Sequence, residues 1–278
     1  MDLSVIIVSW NVKEKLKANL EALYNSEGDF KFEIFVVDNN SEDGSPLMVQ
    51  ENFPQVNLLA NLENLGFAKA NNQAIKLAAG KFILLLNPDM RVNQDTLFKA
   101  LVWARENQQA VVTGIRLVDE KGLIVKQVRH FPKLFDELMI ILKLPHLFPV
   151  LLNKYLCVNF DYNQPSRVDS IRGAFFLINL ESYQKIGGGN KPYLDERYFI
   201  WFEEVDFCRQ VYKLGGEVWY TPVAECLDYI GQSFKQVERI KTQQYFSDSM
   251  LKYFRKWENN FQTQILVIAW KIVNSILR

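Results

Sequence analysis

An abrupt change from apolar to polar residues marks one place where this sequence can do chemistry. The apolar run at 84–86 ends in Asn87, Pro88 and Asp89. Proline fixes its own φ and restricts the preceding residue to extended conformations, so a strand would end here with Asp89 just beyond it. A carboxylate at the carboxyl end of a parallel strand is well placed to hold a hard divalent cation and a diphosphate. An ordinary strand-ending turn is the alternative interpretation.

A second group of carboxylates lies among aromatic residues in the second half of the chain. It contains Glu203, Glu204 and Asp206, which follow Trp201 and Phe202. Restricted access to water raises the pKa of a carboxyl group and suits it to general-base catalysis. Neighbouring residues on a helix point about 100° apart, so Glu203 and Glu204 would not face the same point. We expect one glutamate to serve the substrate and the other acidic residues to support it. An acidic first turn that only stabilises the helix is the alternative.

Polar residues also follow the other strands predicted in the first half. Ser9, Trp10 and Asn11 follow the first strand, and Asp38 and Asn40 lie at the end of the second. The carboxyl ends of parallel strands meet at one edge of an open α/β sheet, so these residues would share one crevice. Asp38 is placed to accept hydrogen bonds from a base or ribose. Each segment taken alone is also typical of an ordinary βα turn.

A third polar segment opens a predicted helix. Asn64 and Gly66 precede this helix, and Lys69 lies in its first turn. Backbone N–H groups at a helix N-terminus, together with Lys69, would suit a phosphate. In the alternative interpretation Gly66 only permits a tight turn and Lys69 is solvated.

The elements that would position these residues alternate between strand and helix up to residue 115. The apolar pattern predicts strands at 3–9, 33–37, 56–60, 82–86 and 110–115, and helices at 14–24, 67–79 and 93–106. Further along, it predicts a strand at 168–178, a helix at 203–214, a strand at 217–220 and a helix at 236–257. Such alternation is typical of an α/β domain with a Rossmann-like, mostly parallel sheet flanked by helices.

Two apolar stretches lie outside this pattern, at 131–158 and 261–277. Both would either pack on the body of the protein or meet a lipid surface. In the second stretch Gln264, Lys271, Ser275 and Arg278 would form one polar stripe on a helix, which suits both alternatives.

Composition excludes several classes of protein. The 278 residues include 32 Lys+Arg and 32 Asp+Glu, so there is no overall positive charge to bind a nucleic-acid backbone. Three widely spaced cysteines argue against a disulfide framework and a structural zinc site. The sequence shows neither a signal-peptide pattern nor an apolar run long enough to span a membrane. We therefore expect a cytoplasmic protein, with peripheral contact to the inner face of the cytoplasmic membrane as an open alternative.

Together these segments resemble the inverting family 2 glycosyltransferases with a GT-A fold, in particular the bacterial rhamnosyltransferase-like branch. The matching segments are 4–11, 36–45, 64–67, 85–89, 172–174 and 202–206. The resemblance implies an enzyme that transfers rhamnose or another hexose from dTDP-rhamnose or a UDP-sugar. The acceptor would be a glycan or lipid-linked glycan in cell-surface polysaccharide synthesis. A catalytically weakened nucleotide-sugar or glycan-binding protein is the alternative.

The resemblance also implies roles for individual residues. Glu204 would be the general base that deprotonates the acceptor hydroxyl, supported by Glu203 and Asp206. Asp89 would ligate the divalent cation, Mg²⁺ or Mn²⁺, with Asp228 as a second ligand. The nucleotide side would comprise Ser9, Trp10, Asn11, Asp38, Asn40, Asn64, Gly66, Lys69 and Asn87. The acceptor or sugar side would comprise Arg172, Gly173, Ala174 and Trp201.

Three departures from the family pattern bear on these roles. Glu204 stands where the family usually has Asp, and Asp228 stands at or near a position where relatives often have a metal-reaching histidine. The segment 187–196 is longer than the usual Gly-Gly-Phe-Asp-Glu, which would reshape the acceptor side. We accordingly divide the chain into a nucleotide-sugar half (1–115), an acceptor and catalytic half of the same domain (116–233) and a helical extension (234–278).

Overall fold

The computed structural model describes residues 1–229 and 238–276 of the chain. Its first half contains β1 (Leu3–Ser9), α1 (Lys13–Tyr24), β2 (Phe32–Asp38), α2 (Ser45–Asn52), β3 (Asn57–Ala60), α3 (Phe67–Leu77), β4 (Phe82–Leu86), β5 (Met90–Val92), α4 (Thr96–Glu106) and β6 (Ala110–Val118). Its second half contains α5 (Leu134–Ile141), β7 (Ser166–Arg167), β8 (Phe175–Asn179), α6 (Leu180–Ile186), α7 (Glu203–Lys213), β9 (Glu217–Asp228), α8 (Arg239–Trp257) and α9 (Asn260–Ile276).

In these residues the strands form one mixed sheet. Its order is β3-β2-β1-β4-β8-β6-β9-β5, with β7 beside β9. The four strands β1 to β4 run parallel, whereas β8 lies antiparallel between β4 and β6. Every residue of β1 is buried, as expected for a central parallel strand covered on both faces. The predicted α/β fold with a central sheet flanked by helices is confirmed.

Alternate residues of the central strands pack into two cores on opposite faces of the sheet. Leu3, Val5 and Ile7 of β1 pack with apolar residues of α1, α2 and α4. Ile6 and Val8 pack with apolar residues of α3, α6 and α7. This alternation holds both layers of helices on the sheet and fixes the edge at which the strands end.

A third core joins the C-terminal helices to the segment that carries the acidic group. Tyr198 and Phe202 lie in this core with Tyr253 and Phe254 of α8 and Trp270 of α9. The opposite face of α9 exposes Phe261, Ile268 and Ile272 together with Gln264 and Lys271. None of the helices in the described ranges combines the length and apolar character needed to cross a bilayer.

Several predicted elements differ from the structure. The strand predicted at 168–178 is a strand only over Phe175–Asn179, because polar Asp169, Ser170 and Arg172 and the small Gly173 interrupt the apolar run. The helix predicted from Asn93 begins at Thr96. Neither α2 nor β5 was predicted, since both are short and have no clear apolar period.

Other predictions fall partly outside the described residues. The predicted strand at 217–220 is the first part of β9, which continues to Asp228. The start of the helix predicted at 236–257, the side chain of Ser275 and the whole of Arg278 lie outside the described residues. Gln264 and Lys271 are exposed on α9, as the predicted polar stripe requires.

Candidate active site

A cavity of about 460 Å³ opens beyond the carboxyl ends of β1, β2 and β4. Most of the site residues predicted from the sequence line it. They are Ser9, Trp10, Asn64, Gly66, Asn87, Asp89, Arg172, Gly173, Ala174, Trp201, Glu203, Glu204 and Asp228. The sheet therefore brings together residues that lie more than 200 positions apart in the chain, as the shared-edge argument requires.

The turn after β4 is fixed on two sides by hydrogen bonds. The backbone N–H of Asn87 donates to the carbonyl of Ala174 (3.0 Å), and Asn19 Nδ2 donates to the carbonyl of Asn87 (2.8 Å). Asp89, only 4% exposed, follows on this fixed turn and lines the cavity. A carboxylate held this way keeps its position when a ligand arrives.

A second carboxylate lies beside Asp89 on the neighbouring strand. In the pairing of β5 with β9, Asp228 is opposite Met90, and the N–H of Tyr229 donates to the carbonyl of Asp89 (3.3 Å). Asp228 is 2% exposed, and its Oδ2 accepts a hydrogen bond from Arg172 Nη1 at 2.9 Å. The cavity thus has two buried carboxylates and one guanidinium at this end.

The acidic group enters the cavity from a strained turn. Trp201 and Phe202 have φ of 63° and 66°, in the left-handed region that bulky L residues avoid at about 1–3 kcal/mol each. The helix α7 starts immediately afterwards, and its first two residues, Glu203 and Glu204, line the cavity. The turn therefore directs both carboxyl groups to the cavity. We expect the third core to stabilise the strained backbone of this turn.

Burial raises the pKa of both glutamates. The pKa of Glu203 is raised well above its ordinary value, first by burial and then by the charge of Glu204. Burial also raises the pKa of Glu204, while the positive charges of Arg172 and Arg129 lower it. One oxygen of each, Oε2, is buried without a hydrogen-bond partner in the described part of the chain. Of the two glutamates, Glu203 therefore has the larger upward shift in pKa, and nearby positive charge limits the shift of Glu204.

Asp206 does not line the cavity and contacts α8 instead. Its Oδ1 accepts hydrogen bonds from Trp257 Nε1 (2.6 Å) and the Tyr198 hydroxyl (3.2 Å). Its Oδ2 accepts from Lys256 Nζ (2.7 Å) and Gln210 Nε2 (2.6 Å). Two residues further along a helix, a side chain points about 200° away, so Asp206 faces α8 and not the site.

The residues predicted for the nucleotide side divide into two sets. Ser9 and Trp10 line the cavity, as do Asn64 and Gly66 at the start of α3. A side chain at Gly66 would place its Cβ 2.4 Å from the carbonyl oxygen of Phe199, so only glycine fits there.

Asn87 lines the cavity too, whereas Asn11, Asp38, Asn40 and Lys69 do not. Asn11 and Asn40 lie in the loops after β1 and β2, and Asn11 Oδ1 accepts from the N–H of Glu42 (2.7 Å). Lys69 is exposed on α3. Asp38 is 1% exposed, its Oδ2 accepts from the N–H of Ser41 (2.8 Å), and its Oδ1 has no partner within the described ranges. Burial is the main cause that raises the pKa of Asp38.

Helix α8 supplies a part of the cavity wall that was not predicted from the sequence. Lys241 and Tyr245 of α8 line the cavity together with Phe199, whose ring stacks on Tyr245 with a centroid distance of 4.5 Å. Asn39 also lines it and donates from Nδ2 to the carbonyl of Gly66 (3.2 Å). Asn39 stands directly after β2, so its place in the sequence could have identified it, whereas nothing in α8 itself points to a site.

Comparison with known proteins decides the family. The model of glycosyl transferase family 2 matches residues 4–176, more than half of the chain. The chain belongs to glycosyl transferase family 2. This family 2 glycosyltransferase is 26% identical to rhamnosyltransferase WbbL of Escherichia coli (strain K12) over 233 residues, which cover 81% of this chain and 82% of WbbL.

A further relative and a solved structure are also similar to the chain, the latter in its fold. The N-acetylglucosaminyl-diphospho-decaprenol L-rhamnosyltransferase of Mycobacterium tuberculosis (strain ATCC 25618 / H37Rv) is 27% identical over 214 residues, covering 72% of this glycosyltransferase and 67% of that protein. The mannosyltransferase PcManGT from Pyrobaculum calidifontis, solved in complex with GDP-Man and Mn²⁺, shares the fold with a TM-score of 0.59 and 17% identity. The match covers 98% of this glycosyltransferase and 69% of that chain. The predicted family, enzyme class and GT-A fold are confirmed.

Proposed function

We propose that this chain is a metal-dependent inverting glycosyltransferase that uses a nucleoside diphosphate sugar. The observation that carries the proposal is the cavity itself, which is lined by the carboxylates of Asp89, Asp228 and Glu204 and, beside the first strand, by Ser9 and Trp10. Two relatives are rhamnosyltransferases by name, which supports dTDP-rhamnose as donor. A UDP-hexose is the other donor to test.

The residues present fit a divalent cation. Asp89 would be its protein ligand, and Asp228 is a second carboxylate that lines the cavity. Within residues 1–229 and 238–276 no group of three or more His, Cys, Asp or Glu side chains could hold a metal alone. A cation here would therefore take other ligands from the diphosphate and water, as Mg²⁺ commonly does in proteins. PcManGT, with Mn²⁺ in its complex, supports this interpretation.

The proposed transfer uses the carboxylates that line the cavity. Glu204 removes the proton of the acceptor hydroxyl, and the resulting oxygen attacks the anomeric carbon from the face opposite the diphosphate. The bond between that carbon and the diphosphate oxygen breaks, and the configuration inverts. When bound, the cation offsets the negative charge that develops on the diphosphate. Trp10 and Asn64, which line the cavity, would hold the nucleoside.

A lipid-linked glycan is the acceptor class that we propose. The name of the mycobacterial relative contains a diphospho-decaprenol, which is a lipid carrier. The exposed apolar side chains of α9 suit a protein that works at the inner face of the cytoplasmic membrane. Peripheral contact of this kind would place the cavity close to the glycan end of such an acceptor.

One experiment tests the proposed activity. The melting temperature would be measured with dTDP, UDP, dTDP-rhamnose and UDP-sugars, with and without Mg²⁺ or Mn²⁺, because a ligand that binds the folded state raises it. Release of nucleoside diphosphate would then be measured with glycan and lipid-linked acceptors. Metal-dependent stabilisation followed by transfer is the expected result. Stabilisation with no transfer to any acceptor would instead favour a nucleotide-sugar-binding protein.

A further inference from the structure

The ion pair between Arg172 and Asp228 is unusual because it lies inside the cavity. The distance from Arg172 Nη1 to Asp228 Oδ2 is 2.9 Å, and the side chain of Asp228 is 3% exposed. The side chain of Arg172 is 29% exposed, and both residues line the cavity. Asp228 thus holds one end of the guanidinium and leaves part of it open to a ligand.

Arg172 is close to carboxylates on two different elements, Asp228 of β9 and Glu204 of α7. Asp228 is its partner at the end that contains Asp89. Gly173, the next residue, would bring a Cβ to 3.6 Å from the Cβ of Glu204, and the charge of Arg172 acts on the Glu204 carboxyl group. A group bound between Asp89 and Glu204 would therefore meet the guanidinium.

The chemistry of the pair favours an anion as that group. A guanidinium has five N–H donors in a planar fork, and it matches phosphate oxygens with two parallel hydrogen bonds. Asp228 takes one of these donors at its Oδ2. The same contact places a positive charge next to Asp228, which opposes the binding of a metal cation at that oxygen.

We propose that Arg172, held in place by Asp228, binds the diphosphate of the donor and shares the charge of the leaving group with the cation bound at Asp89. Asp228 then acts as a positioning residue through Arg172, and its contribution as a metal ligand is secondary. The inference rests on the proposed function, and it moves Arg172 from the acceptor or sugar side to the diphosphate side.

Nucleotide binding without metal tests the inference. The dissociation constant of dTDP or UDP, whichever stabilises the protein more, would be measured by calorimetry in EDTA and in Mg²⁺. In EDTA we expect Arg172→Gln to weaken binding about tenfold or more, which is the effect of one charge-assisted hydrogen bond, and Arg172→Lys to restore part of the loss. The matched control is Arg167→Gln, which removes a similar ion pair with Glu217 that lies outside the cavity and should leave the affinity unchanged.

Asp228 gives the more discriminating result. Removing its negative charge would strengthen anion binding if it acted through charge alone, but we expect Asp228→Asn to weaken it, because Arg172 loses its support. The double variant Arg172→Gln/Asp228→Asn should bind as weakly as Arg172→Gln alone, since Asp228 acts through Arg172. The Mg²⁺ concentration needed for half-maximal binding should rise strongly in Asp89→Asn and less than twofold in Asp228→Asn.

Opposite results would overturn the inference. If Arg172→Gln binds nucleotide in EDTA as tightly as the unsubstituted protein, Arg172 does not contact the diphosphate. If Asp228→Asn raises the Mg²⁺ concentration needed for half-maximal binding as much as Asp89→Asn does, Asp228 acts mainly as a metal ligand. If the unsubstituted protein binds neither dTDP nor UDP, whether EDTA or Mg²⁺ is present, the proposed function itself fails. The inference then fails with it.

Discussion

At the scale of single residues, three acidic side chains of the second half have three different environments. Glu204 faces the cavity with one unpartnered oxygen. Asp206 accepts hydrogen bonds from four side chains and does not line the cavity. Glu137 is fully buried with neither oxygen hydrogen-bonded in the described part of the chain. A carboxylate therefore takes its role here from its surroundings.

We expect Glu204→Gln to abolish most of the transfer while nucleotide affinity stays nearly unchanged. The amide keeps the shape of the side chain but cannot accept the acceptor proton, and loss of a general base lowers turnover about 10²–10⁴-fold. The measurement is nucleoside diphosphate release at saturating donor. Glu181→Gln, at an exposed position of α6, serves as the control. Turnover that survives in Glu204→Gln would remove Glu204 from the base role.

The same residue predicts a pH dependence. Burial raises the pKa of Glu204 above its ordinary value, and the base must be ionised to work. We therefore expect turnover to rise with pH through a pKa above that of an ordinary glutamate, and this limb should disappear in Glu204→Gln. A rate that does not change with pH on the acidic side would argue for another base.

Most of the residues predicted at the ends of β1 and β4 line the cavity, whereas Lys69 and Asp206, both within helices, do not. Asn87 and Asp89 stand at a position fixed by the end of β4, so their place at the sheet edge follows from the pattern. For Lys69 and Asp206 the direction of the side chain depends on the exact start of a helix. Tyr245 enters the cavity from α8, which no local pattern connects with the sheet.

At the scale of elements, α8 holds the helix that carries the proposed base. Lys256 of α8 donates to Asp206 of α7 (2.7 Å) and to Asp195 (2.9 Å). Arg209 of α7 donates to the Tyr253 hydroxyl (2.9 Å) and to Glu258 (2.8 Å). The C-terminal helices therefore fix the orientation of α7 and its first turn.

We expect Asp206→Asn to destabilise the protein strongly. The amide would set an NH₂ group against donors and leave Lys256 without its buried partner, which costs about 3 kcal/mol when one half of a buried pair is removed. The free energy of unfolding in urea measures the effect. Asp248→Asn, at an exposed position of α8, is the control and should have no effect. Equal stability of the two variants would show that the network contributes little.

Glu137 of α5 gives the stability of the protein a pH dependence. Burial, with a smaller effect from the charge of Asp136, raises its pKa to about 8, while Arg129 lowers it. In the unfolded chain the group titrates near its ordinary value of 4.5. The folded state therefore holds the proton more tightly, and stability is greatest below the unfolded pKa and falls as pH rises towards 8.

Glu137→Gln should remove this dependence, because the amide does not titrate. Between pH 5 and pH 8 we expect the unsubstituted protein to lose about 3–4 kcal/mol more unfolding free energy than the variant. Urea unfolding at three pH values measures the difference. Glu120→Gln, exposed after β6, should follow the unsubstituted protein. If the unfolding free energy of all three proteins changes with pH in the same way, Glu137 is in contact with water in the folded state.

The alternating first half of the fold was predictable and much of the second half was not. Strands β1, β2 and β4 are apolar runs between polar turns, so the apolar residues and the turn residues that follow them define these strands. The long β9 contains Pro222 and several polar residues, yet pairs with β5, β6 and β7 along its length. Its length depends on these partners, which a local pattern does not contain.

At the scale of the whole molecule, charge and apolar surface are unevenly distributed. The chain is balanced overall, but the stretches 131–156 and 238–276 together contain nine Lys or Arg and five Asp or Glu. These stretches supply α5, α8 and α9, and α5 contacts α9. They also expose large apolar side chains, namely Phe135, Leu147, Phe148, Val150, Phe261, Ile268 and Ile272. Apolar side chains with an excess of positive charge suit the surface of an anionic membrane.

Ile268 and Ile272 are the residues with which to test membrane contact, because both lie on the exposed face of α9 while Leu266 and Trp270 face the core. We expect Ile268→Glu/Ile272→Glu to reduce binding to vesicles with anionic lipids at least tenfold, since each buried isoleucine contributes about 1.5–3 kcal/mol. Binding should also weaken as salt rises. Co-sedimentation measures it.

Leu62 and Leu47 provide the matched control for that experiment. Leu62 is 96% exposed and Leu47 of α2 is 56% exposed, both far in sequence from α9, so Leu47→Glu/Leu62→Glu adds the same charge as the α9 variant without touching the proposed surface. Vesicle binding that falls equally in both variants would show that charge alone matters. Binding that stays unchanged in the α9 variant, with its melting temperature preserved, would mean that the exposed face of α9 does not meet the membrane. The lipid-linked acceptor would then have to reach the cavity from the bilayer by its glycan end alone.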